Sequence, residues 1–155
     1  MADLSQDGKA VTTRTMFSRE TAVSTTINAD VSIIWSLLTN AADFARWNRT
    51  IISLDGSIKV GETVQLKSTL DEKRTFKLKV KELVPEKRLV WGDSQGSRVY
   101  SLTPGKNGVV FTMTEKIGGP FFPLFARFIP PFDHSFEQFA ADLKQEAEAI
   151  QNANN

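Results

Sequence analysis

The stretch Phe76-Lys77-Leu78-Lys79-Val80-Lys81 alternates apolar and basic residues without a break. Successive side chains of a β-strand point to opposite faces of a sheet, so Phe76, Leu78 and Val80 would face a core while the lysines face water. This alternation is typical of an antiparallel sheet with one buried face. The stretch therefore predicts a sheet whose apolar side must be covered by another layer.

The same two-residue period continues on both sides of this stretch. It predicts six strands, at residues 51–58, 62–69, 74–84, 87–93, 97–103 and 108–117, with turn-forming residues between them. Residues 14–28 alternate more weakly and predict a seventh strand, which we expect at the edge of the sheet.

Helical spacing appears before and after these strands. Asp30 is a predicted N-cap for a helix over residues 31–38, and Phe44 and Trp47 indicate a second short helix. A short apolar helix is predicted at 121–128 and a long helix at 131–151, with a break at Pro130-Pro131. One helix cannot cover a flat seven-stranded sheet, so the sheet must curve around it, which favours a cavity between them.

The composition is that of one globular domain. The chain has 155 residues, of which 41% are hydrophobic and 24% charged, with a net charge of +1. We expect a flexible arm at 1–13, a single domain at 14–151 and a polar tail at 152–155. We recognise neither a signal peptide nor a membrane-spanning stretch, and therefore expect a cytoplasmic protein without stable membrane insertion.

The residue types present narrow the possible chemistry. There is no cysteine and a single histidine, so we expect no disulfide, no metal site and no cofactor. His134 lies about 200° around the helical wheel from Phe132 and should face solvent. The basic residues of 67–88 are interrupted by acidic ones, which indicates a solvated face and no nucleic-acid partner.

Short motifs along the chain share their order and spacing with one known family. They are Ile27-x-Ala29-Asp30, Ile34-Trp35-x-Leu37-Leu38, Phe44-x-x-Trp47-Asn48, Gly56, Gly61, Leu89-x-Trp91, Arg98-x-Tyr100-x-Leu102-x-Pro104, Gly108, Glu115-x-x-Gly118 and Leu143-Lys144-x-x-Ala147-Glu148. Together they resemble the START-like (SRPBCC) superfamily, and within it the polyketide cyclase/dehydrase-like group. The resemblance runs from about Thr21 to Ala149. In one departure, Arg49 stands close behind Trp47, where the family often has a proline.

The resemblance implies an α+β helix-grip fold. In this fold a curved seven-stranded antiparallel sheet wraps around a long C-terminal helix, and two short helices follow the first strand. The superfamily spans lipid carriers, hormone receptors, cyclases and co-chaperone domains, so the fold does not identify the function.

The last predicted hairpin holds the polar groups of interest. Its loop at 104–107 sets a register in which Tyr100 lies near Phe111, and Arg98 near Met113 and Glu115. If these faces look inward, Arg98 and Glu115 form either a structural ion pair at a cavity rim or a pair that orients the polar end of a ligand.

The aromatic residues would either fill a core or line a cavity, since the chain has 11 phenylalanines and 3 tryptophans. The predicted ligand contacts are Phe76, Leu78, Trp91, Arg98, Tyr100, Phe111, Met113, Glu115, Phe125, Phe136 and Phe139. Residues 120–131 carry Arg127 as their only charge and are predicted to close one end of the cavity. An alternative is a lid that opens to admit ligand and makes transient contact with a membrane.

Three functions remain open. The leading hypothesis is the non-catalytic binding or transport of a small hydrophobic ligand such as a lipid, an isoprenoid or an aromatic polyketide. The second is an enzyme similar to polyketide cyclases, aromatases or dehydratases, in which Glu115, Arg98 or Tyr100 would move protons, although an inward histidine is lacking. The third is a co-chaperone-like module with an exposed apolar patch and a cavity too small for a ligand. We expect a monomer or a weak dimer.

Overall fold

The computed structural model describes residues 4–155, so residues 1–3 of the predicted arm lie outside the described residues. Eight strands and four α-helices follow one another along this part of the chain. They are β1 (Val11–Arg14), β2 (Ser18–Ile27), α1 (Val31–Thr39), α2 (Phe44–Trp47), β3 (Ile51–Asp55), β4 (Thr63–Ser68), β5 (Asp71–Val84), β6 (Arg88–Gly92), β7 (Gly96–Gly105), β8 (Gly108–Gly118), α3 (Phe122–Phe125) and α4 (Asp133–Ala153). Short 3₁₀ turns precede α2 at Ala41–Asp43 and follow α3 at Ala126–Phe128.

The strands form one antiparallel sheet in the order β1-β2-β8-β7-β6-β5-β4-β3. Strands β3 to β8 form a meander, and β2 pairs with β8 at the far side of it. Helix α4 packs against β2, β8 and α1, on the side that holds the core. This arrangement confirms the predicted α+β helix-grip fold.

The sheet has one strand more than the seven that the sequence predicts. Strand β1 pairs with β2, so β2 is an internal strand rather than the predicted edge. Pattern analysis missed β1 because it has only four residues, mostly exposed, without an apolar alternation. Its Thr12 hydroxyl donates to the Asp133 carboxylate at 2.7 Å, and this bond ties the strand to the start of α4. Residues 11–13 of the predicted arm therefore lie in the sheet.

Helix α4 buries a single stripe of side chains. Phe136, Phe139, Ala140, Leu143 and Ala147 recur at helical spacing and are all buried. His134 is exposed, as the helical wheel predicts. The helix ends at Ala153, so two residues of the predicted tail are helical.

Arg49, the residue that departs from the family pattern, connects the short helices to α4. Its backbone N–H donates to Asp142 Oδ2 at 2.8 Å, and its guanidinium binds the same carboxylate at 2.9 Å. Asp142 is buried, so these bonds satisfy a charge that would otherwise be costly. A proline at this position would lack the donating N–H.

Among the described residues, no helix combines the length and the apolar character needed to cross a membrane.

Candidate functional site

A cavity of about 180 Å³ lies at one end of the sheet, where β4 to β8 approach residues 128–132. Its wall is mostly apolar and is formed by Leu66, Leu70, Phe76, Leu78, Trp91 and Ile117. The roof consists of Phe128, Ile129, Pro130 and Phe132. Polar residues surround the mouth, including Asp71, Arg74, Asp93 and Gln95. The site therefore joins an apolar interior to a charged rim, as small-molecule sites commonly do.

Strand pairing explains why these side chains meet. Val80 pairs with Trp91, Trp91 with Arg98, and Arg98 with Glu115, so the four residues form one row across β5 to β8. Residues in one row of an antiparallel sheet point to the same face. The row crosses the inner face of the sheet and places Arg98 between Trp91 and Glu115.

Arg98 and Glu115 form the polar part of the interior. Arg98 Nε donates to Glu115 Oε1 at 2.7 Å, and the two side chains are only 11% and 19% exposed. The Arg98 guanidinium also lies 5.0 Å from the centre of the Phe136 ring. Burial is the largest single influence and lowers the pKa of Arg98, but the combined effect of Glu115 and Tyr100 outweighs it, so the net shift is upward and the guanidinium stays charged. The pair is a structural ion pair that also borders the cavity.

The register of this hairpin differs from the prediction by two residues for Tyr100. Tyr100 lies opposite Met113 rather than Phe111, while Arg98 is directly opposite Glu115. The reason is that β7 and β8 continue to Gly105 and Gly108, which leaves a two-residue turn instead of the predicted longer loop. The Tyr100 and Phe111 rings remain diagonal neighbours, with centroids 6.4 Å apart.

Five of the eleven predicted contact residues line the cavity: Phe76, Leu78, Trp91, Arg98 and Glu115. The other six, which do not line it, are Tyr100, Phe111, Met113, Phe125, Phe136 and Phe139. Most of these fill the space between the middle of α4 and the sheet. The Phe139 ring, for example, lies 5.7 Å from Tyr100 and 6.1 Å from Phe111. The space between the middle of α4 and the sheet is therefore a packed core. A ligand-contact role for any of the eleven residues stays a prediction.

Tyr100 illustrates the consequence of this packing. Burial raises the pKa of its phenol, and the positive charge of Arg98 lowers it by a smaller amount. The phenol is consequently neutral at physiological pH. Tyr100 is part of the core and does not line the cavity, and its part in moving protons under the enzyme hypothesis stays a prediction.

Sequence reasoning missed the residue that holds the roof. Arg19 is buried and donates to the carbonyl oxygens of Ile129 at 3.3 Å and Pro130 at 2.9 Å. Its guanidinium lies 4.5 Å from the centre of the Phe132 ring and forms no ion pair with a carboxylate among residues 4–155. The two-residue alternation of β2 could have identified it, since Arg19 lies on the same inward face as Thr21 and Val23.

A second, more open depression of about 460 Å³ lies over α2 and the C-terminal half of α4. Its charged groups are already paired: Arg49 with Asp142 at 2.9 Å, and Arg46 with Glu146 at 2.9 Å. These ion pairs connect α2 and the residues that follow it to α4. The charged groups of the depression therefore have a structural role, and we do not treat it as a ligand site.

Comparison with known proteins places the chain in a family. Residues 28–148 match the family model described as "Activator of Hsp90 ATPase homolog 1-like protein". No curated protein matches the chain.

Several solved structures share the fold. A protein from Rhodobacter sphaeroides superposes with a TM-score of 0.67 at 18% identity, over 91% of this chain and 99% of that one. A protein from Mesorhizobium loti gives 0.66 at 19% identity, over 84% and 98%. DynU16, a protein in the dynemicin biosynthetic locus, gives 0.62 at 18% identity, over 84% of this chain and 47% of its own length. At these identities the similarity shows the fold alone.

Proposed function

The chain belongs to the family of Activator of Hsp90 ATPase homolog 1-like proteins, within the START-like superfamily, and from this we propose that it binds a small, uncharged, largely apolar molecule. The binding site is the cavity beneath residues 128–132. The observation that carries the proposal is the combination of an apolar wall with a single buried ion pair in an interior of about 180 Å³.

The volume of the cavity limits the size of the ligand. An apolar cavity of roughly 150 Å³ is large enough for benzene. The interior of about 180 Å³ therefore suits a single ring with a few additional atoms. Of the ligand classes predicted from the sequence, a small aromatic molecule fits best. A lipid or an isoprenoid would have to extend through the mouth or displace the roof.

The charges of the cavity limit the polarity of the ligand. Arg98 and Glu115 neutralise each other, so an anionic ligand would meet Glu115 and a cationic one would meet Arg98. An ion bound against this pair would be buried beside a counter-charge that is already occupied, which is costly. The charges of the site that form no ion pair among residues 4–155, Asp71, Arg74 and Asp93, lie at its exposed mouth. A neutral hydroxyl or carbonyl group can instead form a hydrogen bond to one member of the pair. We therefore infer an uncharged ligand with one polar group.

The enzyme hypothesis has less support from the geometry. Of the proton-moving groups predicted from the sequence, Tyr100 lies outside the cavity, and Glu115 and Arg98 are bound to each other. His134 is exposed, as expected. The co-chaperone-like hypothesis requires an exposed apolar patch. Exposed apolar side chains are present at Phe121, Leu124 and Phe128.

Native mass spectrometry of protein purified from its own host tests the proposal. We expect a bound molecule of about seven to ten non-hydrogen atoms, the number that a volume of this size can hold. Leu78→Trp should abolish the bound mass because the indole fills the cavity. Val84→Trp adds the same ring at an exposed position of the same strand and should leave the bound mass unchanged. Equal occupancy in both variants would contradict the proposed site.

A further inference from the structure

Five large apolar side chains are exposed beside the mouth of the cavity. They are Met16, Phe17, Phe121, Leu124 and Phe128, each between 52% and 73% exposed. We call this surface the apolar tip. Phe121, Leu124 and Phe128 follow helical spacing and share the outer face of the short helical segment, while Phe122 on its inner face is buried.

Backbone contacts hold the two parts of the apolar tip together. The Gly119 N–H donates to the Phe17 carbonyl oxygen at 3.1 Å. At the other end of the segment, Arg19 binds the carbonyl oxygens of Ile129 and Pro130. Residues 119–130 are thus attached at both ends to residues 17–19, and Phe121, Leu124 and Phe128 lie between these two attachments.

Within the two chain segments that carry the apolar tip, all charges have one sign, whereas the cavity mouth beside it also holds Asp71 and Asp93. Segments 11–19 and 116–132 contain Arg14, Arg19, Lys116 and Arg127, and they contain no aspartate or glutamate. Arg14, Lys116 and Arg127 are exposed and form no ion pair with any residue in 4–155. This asymmetry is local, because the whole chain carries 19 basic and 18 acidic side chains.

We infer that the apolar tip docks reversibly on the surface of an anionic lipid bilayer. Exposed aromatic and aliphatic side chains enter the interface between headgroups and acyl chains, and flanking cations are attracted to anionic headgroups. The two segments of the apolar tip together supply both features. A symmetric contact between two copies would bring the same cations together, which opposes a second copy as the occupant.

The docking surface adjoins the proposed ligand site. Phe128 belongs to the apolar tip and also lines the roof of the cavity. A docked protein would therefore place the cavity mouth close to the bilayer, from which an apolar molecule can enter. The inference does not depend on ligand binding, since the exposed side chains and charges are present whether or not the cavity is filled.

Co-sedimentation with vesicles tests the inference. We expect the protein to bind vesicles of phosphatidylcholine that contain about a third phosphatidylglycerol more tightly than vesicles of phosphatidylcholine alone. The reason is that each basic side chain near an anionic surface adds favourable binding free energy. Arg14→Gln combined with Arg127→Gln should weaken binding roughly 25-fold, at about five-fold for each charge. Phe121→Ser combined with Leu124→Ser should weaken it by at least about ten-fold, through lost apolar insertion. Raising the salt from about 0.1 M to 1 M should release the protein.

Matched controls isolate the apolar tip. Val60→Ser changes an equally exposed apolar residue elsewhere, and Lys77→Gln with Lys79→Gln removes two exposed charges from β5. Both should bind as the wild type does. Failure to bind anionic vesicles, or equal binding by the tip variants, would overturn the inference. So would a wild-type dimer that the tip variants convert to a monomer. The tip variants leave Phe128, which lines the cavity, unchanged. Their vesicle binding can therefore be lost without a change in ligand binding, so the two proposals fail independently.

Discussion

Arg98 and Glu115 form an ion pair that borders a mostly apolar cavity. A buried ion pair gains little net stability, because the attraction between its charges must offset the loss of their hydration. Removing one partner is costly, because the other charge is then left in a poorly solvated site. At 2.7 Å and with both side chains mostly buried, the two residues should therefore be strongly interdependent.

A double-mutant cycle measures this interdependence. Arg98→Met and Glu115→Gln should each lower the free energy of unfolding by about 1–3 kcal/mol, through the buried partner that is left unsatisfied. The coupling free energy should be at least about 1 kcal/mol, since the two groups are in direct contact. Chemical denaturation of the four proteins gives both values.

The exposed pair of Arg88 and Glu82, at 3.1 Å and 45% and 43% exposed, provides the control. Its coupling should be smaller than that of the buried pair, within about 0–1 kcal/mol. A coupling near zero for Arg98 and Glu115 would mean that the pair is solvated.

Tyr100 is the only tyrosine, so its ionisation can be followed by tyrosinate absorbance in the whole protein. Burial raises its pKa in the folded protein, whereas unfolded tyrosine ionises near pH 10. The folded state therefore holds the proton more tightly. This contribution to stability is complete below about pH 10 and is lost as the pH rises through the folded pKa.

Stability of the wild type should consequently fall more steeply above about pH 10 than that of Tyr100→Phe, which lacks this group. Denaturation curves at several alkaline pH values provide the comparison. Ionisation of Tyr100 near pH 10 in a protein that is still folded would show that the phenol is solvated.

At the scale of elements, α4 and the sheet divide the space between them into a core and a cavity. Phe139, in the middle of α4, packs against Tyr100, Phe111, Phe44 and Trp47, with ring centroids 5.7–6.1 Å apart. Phe76, on β5, is partly exposed and lines the cavity. The two phenylalanines therefore belong to different environments, although alternation and helical spacing turn both of them inward.

Truncating each ring should separate these environments. Phe139→Ala should lower the free energy of unfolding by about 3–5 kcal/mol, because it leaves a void in a packed core. Phe76→Ala should cost clearly less and should change the affinity for an apolar fluorescent probe, which Phe139→Ala should not. The measurements are chemical denaturation and probe titration. A small loss of stability for Phe139→Ala together with altered probe affinity would contradict this division and would place the ligand between the middle of α4 and the sheet.

The same elements show how far pattern analysis reaches. Alternation predicted β5 and its buried face, and helical spacing predicted α4, because each depends on the position of one residue relative to the next. Strand β1 was not predicted, since its four residues have no apolar side and it forms by pairing with β2. The register of the last hairpin was wrong for Tyr100, because β7 continues two residues beyond its predicted end at 103, so that Gly105 pairs with Gly108 before the turn.

The position of the cavity could not be predicted from the sequence for a related reason. Alternation tells which side chains point inward, but the space left between them depends on the path of α4 and on the stacking of rings. Here the stacked rings of Tyr100, Phe111 and Phe139 fill the middle. The roof depends on Arg19, which is 110 residues away from Ile129 in sequence.

At the scale of the whole molecule, three regions follow one another along the concave side of the sheet. A packed aromatic core lies under the middle of α4, a cavity of about 180 Å³ lies at the end of the sheet, and the apolar tip stands beside its mouth. The core accounts for stability, the cavity for the proposed selection of a ligand, and the apolar tip for the proposed docking on a bilayer.

A titration with three probes of similar size and different charge tests the central claim most directly. Phenol, benzoate and benzylammonium would be added to isotopically labelled protein, and the amide signals of Gly92 and Gly96 and the indole signal of Trp91 would be followed by nuclear magnetic resonance. We predict saturable shifts with phenol, at least about ten-fold weaker binding of both ions because each would bury an unpaired charge, and loss of the phenol shifts in Leu78→Trp but not in Val84→Trp. Absence of a saturable phenol shift at these residues, or shifts that persist in Leu78→Trp, would contradict a ligand site in this cavity.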